Sequence, residues 1–168
     1  MADKYIYNNA GVLTEKSGLT ASVGAGDSGK IVALDSSGRL DQSFMPVGVV
    51  PETASVLASE ALTAGNLVNI YNNSGTANCR KADATVAGKE AHGFVLTSVS
   101  NGASATVYFE GTNTALSGLT PGKQYLSTTA GGTTTTAPSG SGNAVQVVGF
   151  AVSATAMSFQ SEQPIILA

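Results

Sequence analysis

Apolar and polar residues alternate through much of the chain, in short runs separated by glycine, asparagine and proline. A period of two sends successive side chains to opposite faces, so these runs predict half-buried strands. Ala103-Ser-Ala-Thr-Val-Tyr-Phe109 is the clearest case, with Ala103, Ala105, Val107 and Phe109 on one face and Ser104, Thr106 and Tyr108 on the other. In Leu67-Val-Asn-Ile-Tyr71 the apolar face carries Val68 and Ile70, and Asn69 takes the other. The same reading predicts strands over residues 54–58, 76–81, 93–99, 124–127, 145–152 and 157–159.

Turn chemistry separates these runs. Ala64-Gly-Asn66 makes a turn, Asn72-Asn-Ser-Gly75 joins two strands, and Asn101-Gly102 is a strong hairpin signal because both residues tolerate positive φ. Thr120-Pro-Gly122 presets a turn through the ring of Pro121 and the freedom of Gly122. The β-branched run Thr133-Thr-Thr-Thr136 predicts an edge strand ended by Pro138, a disordered loop being the alternative. Between Val145 and Val152 the apolar parity passes from Val145 and Val147 to Val148, Phe150 and Val152, with Gly149 at the change. One extra residue flips parity, so a β-bulge and a curved sheet are expected there. Residues 58–63 offer a helical turn, and the apolar end, Pro164-Ile-Ile-Leu-Ala168, is expected to be tied down.

The first part of the chain reads differently. Gly11, Gly18, Gly24, Gly26, Gly29 and Gly38 interrupt every apolar run before it reaches helical length. Residues 1–45 are expected to form an extended N-terminal arm carrying a β-hairpin, with Lys30-Ile-Val-Ala-Leu34 and Arg39-Leu-Asp41 flanking the turn Asp35-Ser-Ser-Gly38. Pro46 and Pro51 bracket Val47-Gly-Val-Val50 and mark the passage to a β-rich body over residues 46–168. The fold class predicted is all-β, a small antiparallel β-barrel or β-sandwich with that arm.

Composition narrows the function. Only 11% of residues are charged, against roughly 25% in ordinary soluble domains, while 42% are hydrophobic and the net charge is -3. Such a chain folds, and its weakly charged surface is expected to be covered in part by neighbours in an assembly. The eight Lys and Arg residues are scattered, which excludes a cationic nucleic-acid face. No apolar run approaches the roughly 18 residues of a membrane helix, and no signal peptide follows Met1, so synthesis in the cytoplasm is expected.

Candidate chemistry is thin. Gly24-Ala-Gly-Asp-Ser-Gly-Lys30 has the spacing of a phosphate-binding loop, but Ile31 stands where a Ser or Thr would bind magnesium, and a strand is expected where a helix is needed. Gly26-Asp-Ser-Gly29 resembles a serine-protease nucleophile segment, yet a Gly-broken arm is a poor place to hold three catalytic groups in register. His92, the sole histidine, cannot alone assemble a zinc site and is expected at a strand edge. Asp83, Glu90 and Glu110 are dispersed, and Cys79 has no cysteine partner. No catalytic residues, no metal site, no cofactor and no enzyme activity are expected.

Several segments together resemble a known family. Gly29-Lys-Ile-Val-Ala-Leu-Asp-Ser-Ser-Gly-Arg-Leu-Asp41 with Met45-Pro-Val-Gly48, Ala64-Gly-Asn-Leu-Val-Asn-Ile-Tyr71, Arg80-Lys-Ala-Asp-Ala-Thr85, Gly88-Lys-Glu-Ala-His-Gly-Phe-Val95 and Leu116-Ser-Gly-Leu-Thr-Pro-Gly122 resemble the capsid cement or head-decoration proteins of tailed bacteriophages. The resemblance covers nearly the whole chain. Leu-Thr-Pro-Gly and Val-Gly-x-Ala-Val-Ser-Ala-Thr segments are also similar to those of tail-fibre and baseplate-associated proteins, which bind host receptors or glycans and give the alternative placement. The family implies a small β unit on the outer surface of the expanded head, with an arm that reaches between subunits. Its implied partners are the major capsid protein and further copies of itself, a trimer favoured over a dimer, and its implied location is the virion. On this resemblance Tyr5, Ile6, Tyr7, Val12, Leu13, Ile31, Val32, Leu34, Leu40, Phe44 and Met45 would be apolar anchors at the capsid or between protomers, the alternative being that they pack on their own domain.

Overall fold

The structure, a computed structural model, describes residues 4–46 and 51–168. Its contacts divide the chain into two units, residues 1–50 and 51–168. The expected passage at Val47–Val50 lies outside the described residues.

In the first unit, β1 (Lys4–Asn9) and β2 (Val12–Ser17) pair antiparallel, from Asn9 opposite Val12 to Lys4 opposite Ser17. Ala10 and Gly11 form the two-residue loop, with φ of 50° and 92°. Two positive φ values give the turn whose twist matches that of the flanking strands. The Asn8 side chain accepts from the Gly11 N–H at 2.8 Å and closes it.

The hairpin is therefore at residues 4–17, and the one expected over residues 30–41 does not form. Its turn does form, because the Asp35 carboxylate accepts from the N–H groups of Ser37 and Arg39 at 2.8 and 2.9 Å. What prevents a ladder is competition for the backbone of the first flank. Leu19 donates to the Ile31 carbonyl at 2.8 Å and accepts from the Ala33 N–H at 2.7 Å, in a parallel bridge to Val32. Gly18 permits this approach, since a Cβ there would lie 2.8 Å from the Cβ of Ala33. Short 3-10 turns at Ala25–Asp27 and Gln42–Phe44 complete the unit.

The second unit begins with β3 (Thr53–Ala58), β4 (Leu67–Asn73), β5 (Thr76–Lys81), β6 (Gly93–Phe94) and β7 (Ser104–Tyr108), which close a barrel in the order β3-β5-β4-β6-β7. The all-β class and the barrel are as expected. One pairing departs from antiparallel, because β3 runs parallel to β5 over Leu57–Ala58. A five-stranded antiparallel sheet follows, in the order β10-β9-β12-β13-β8. Its strands are β8 (Gly111–Asn113), β9 (Gly122–Leu126), β10 (Thr133–Thr134), β12 (Val147–Ala151) and β13 (Met157–Phe159), and the separate ribbon β11 (Ala144–Val145) pairs with β14 (Ile165–Ile166).

Two local expectations fail for a shared reason. The strand predicted over 93–99 stops at Phe94, and although the Asn101-Gly102 turn forms, residues 95–99 do not ladder onto β7. Val99 and Leu62 instead exchange both backbone hydrogen bonds at 2.9 Å, and Gly102 donates to Ala58 at 2.8 Å. The helical turn expected over 58–63 fails with them, since Ser59 donates to Cys79 and Leu62 to Val99. Backbone donors committed to other strands are not available for a helix.

The bulge is present where parity changes. On β9, Val147 opposes Tyr125 and Gly149 opposes Gln124, leaving Val148 as the extra residue. Gly149 has φ 136°, and a Cβ there would collide with the Ser158 carbonyl. The buried set is nevertheless Ala144, Gln146 and Val148 before the bulge and Ala151 after it, so Phe150 and Val152 face solvent instead of sharing a core face with Val148.

Two cores result. One fills the barrel with Val56, Val68, Cys79, Val95, Ala105 and Val107 among others, and the second joins Leu67, Phe94, Leu126, Val148, Met157 and Phe159. Successive residues serve different cores: Leu67 then Val68, and Phe94 then Val95. Phe94 stacks on Tyr108 with centroids 5.3 Å apart and tilts against Phe159 at 5.4 Å, which anchors the second core.

Candidate interaction surface

The first unit has no buried side chain among its described residues. Nine of the eleven expected anchors, Ile6, Tyr7, Val12, Leu13, Ile31, Val32, Leu34, Leu40 and Met45, are exposed, and Tyr5 and Phe44 are partly covered. Leu13 is 72% and Ile6 64% exposed, so most of each apolar side chain meets water.

The hairpin brings five of them together. Residues directly opposite on paired strands share a face, so Ile6 and Leu13 lie on one side with the Lys4–Glu15 ion pair at 2.8 Å. Tyr5, Tyr7 and Val12 lie on the other, where the Lys16 ammonium sits 4.2 Å from the Tyr7 ring centroid. Ile31 and Val32 are held by the Leu19 bridge, Leu34 precedes the Asp35 turn, and Phe44 and Met45 follow the Asp41 cap. The eleven thus occupy separate places in the unit. Val23, 92% exposed, was missed because it stands alone between Ser22 and Gly24 with no periodic partner.

Carboxylates organise the intervening loops. Asp27 accepts from the Val23 N–H at 2.7 Å, from Lys30 at 2.7 Å and from the Ser22 hydroxyl at 3.3 Å. The Lys30 bond first, then that of Val23, holds its pKa below the usual carboxylate value. In the Gly24–Lys30 segment the lysine and an adjoining N–H group, which a phosphate would require, are thus engaged by this chain's own carboxylate. Asp41 caps the Gln42–Phe44 turn through the Ser43 N–H at 2.9 Å, and hydrogen bonds from Ser43 lower its pKa as well.

In the second unit the residues singled out earlier make structural bonds. His92 precedes β6 and its Nδ1 accepts from the Ile70 N–H at 3.0 Å, extending the β4 edge. Glu90 accepts from the Gly88 N–H at 3.0 Å, and Asp83 from both the N–H and hydroxyl of Thr85. Cys79 is buried on β5, and burial pushes its thiol pKa up. Its neighbour Arg80 takes the opposite face, donating to Asn69 at 3.0 Å and to the Gly88 carbonyl at 2.9 Å. Among the described residues no three His, Cys, Asp or Glu side chains gather to hold a metal ion.

Exposed apolar residues also occur on the second unit, at Leu57, Val86, Phe150, Val152, Ile165 and Ile166. On the outer face of the five-stranded sheet Thr112, Ser158, Phe150 and Lys123 form one cross-strand row. The bulge is the signal that could have found Phe150, since it moves that residue from the core parity to the outer one.

No protein-family profile matches the chain, and no curated protein matches it. A solved structure, described as the head fiber gp8.5 N base in bacteriophage phi29, is similar over 70% of this chain and 94% of its own, with 16% identity and a TM-score of 0.42. Identity and superposition at that level leave this chain's role to its own residues.

Proposed function

We propose that this chain is a virion structural protein, a cement or decoration protein that binds the outer surface of the expanded phage head, bridges major capsid subunits and stabilises the shell. The observation that carries the reading is the first unit's lack of any buried side chain among its described residues, combined with nine exposed apolar anchors. Apolar surface left in water costs about 25 cal/mol per Å², so a unit built this way gains its stability on a partner. The family resemblance of Gly29–Asp41, Gly88–Val95 and Leu116–Gly122 supports the capsid as that partner. Because each copy would grip more than one capsid subunit, individually weak contacts would add through effective concentration.

The test is co-sedimentation of the purified chain with expanded and unexpanded heads that lack it. Saturable binding to expanded heads alone, with a rise in the temperature at which those heads release DNA, is the expected outcome. Absence of binding to expanded heads contradicts the proposal.

A further inference from the structure

We infer that the β1 edge is a self-association surface, on which the N-terminal hairpins of two copies join antiparallel into one four-stranded sheet, β2-β1-β1′-β2′. An isolated two-stranded hairpin is marginal in water, and three or more strands are needed for independent stability. Among the described residues the hairpin has only its two strands, and eleven of its twelve strand residues are exposed, Tyr5 being partly covered.

The register selects the edge. A two-residue loop makes Asn9 and Val12 the hydrogen-bonded closing pair, so the backbone groups of Tyr5, Tyr7 and Asn9 point to β2. Those of Lys4, Ile6 and Asn8 then point outward, with no backbone partner on that side among the described residues. Antiparallel pairing of two β1 edges about Ile6 sets Ile6 against Ile6 of the second copy on one face. On the other face it sets Tyr5 against Tyr7 twice, and at the ends Lys4 meets Asn8. Aromatic and β-branched cross-strand pairs are the favourable kind, and no like charges meet.

The β2 edge does not offer this. Pairing two β2 strands about Glu15 opposes like charges, pairing them about Thr14 puts Leu13 against Glu15 and Val12 against Lys16, and pairing them about Leu13 matches only Val12–Thr14 before Glu15 meets the Gly11 turn. Charges in the middle of an edge strand are a common guard against such pairing. From Tyr5 to Asn9 the β1 edge carries no charge at all.

The inference selects a dimer where the family resemblance favours a trimer, and its test uses the purified full chain without capsids, so its failure leaves the capsid reading standing. Analytical ultracentrifugation should give a concentration-dependent dimer. Ile6→Lys, which opposes two ammonium groups at the twofold, should weaken the dimer about tenfold or more. Ile6→Cys should cross-link two copies on mild oxidation, since a hydrogen-bonded antiparallel pair spaces its Cα atoms about 5.5 Å apart, within disulfide range. Thr14→Cys on β2 should not cross-link, and the native Cys79 is buried. A monomer or trimer at every concentration, or cross-linking through position 14 as readily as through position 6, would overturn the pairing.

Discussion

Gly149 and Phe94 show how single residues set the body's shape. Gly149 sits at φ 136° against the Ser158 carbonyl, a position an L side chain cannot share without displacing the neighbouring strand. Gly149→Ala is expected to cost about 1–3 kcal/mol or more in denaturant unfolding, because strain and overlap act together. Phe94→Ala removes the ring that contacts both Tyr108 and Phe159, and a cost of about 3–5 kcal/mol is expected in the same measurement. In the first unit, Asp27 and Asp41 have folded pKa values below the ordinary 3.8. Their contribution is therefore complete above that value and disappears as pH falls through the lower folded pKa. An NMR acid titration should show the Val23 and Ser43 amides holding their shifts down to the ordinary value and moving to random-coil positions only below it.

At the scale of elements, the parity change around Gly149 revealed a bulge in the sequence, and the alternation over 103–109 revealed β7, because both signals are local. What the sequence did not reveal were choices between competing partners. The Asp35–Gly38 turn forms, as the Ala10-Gly11 loop does, but Leu19 captures the backbone of Ile31 and Ala33, and so the hairpin stands at 4–17. Likewise Val99 prefers Leu62 over the strand that its Asn-Gly turn would have brought back. The apolar residues of the first unit were legible as residue types, whereas their exposure was not, since periodicity records which face is apolar and says nothing of what covers it. Because the second unit carries both cores, a chain lacking residues 1–50 is expected to unfold cooperatively with a midpoint close to that of the whole chain, as judged by circular dichroism. A non-cooperative melt of that truncated chain would show that the body depends on the first unit.

For the molecule as a whole, the second unit holds both cores and the first unit offers exposed apolar surface. A capsid lattice suits that division, since it presents the same site many times and multiplies a modest contact. The most direct measurement is the number of copies of this chain in purified mature particles, determined by quantitative mass spectrometry against the major capsid protein. A decoration protein is predicted to be present in a fixed ratio comparable with that of the major capsid protein. A few copies per particle, the number fitting a tail fibre or baseplate, would contradict the account.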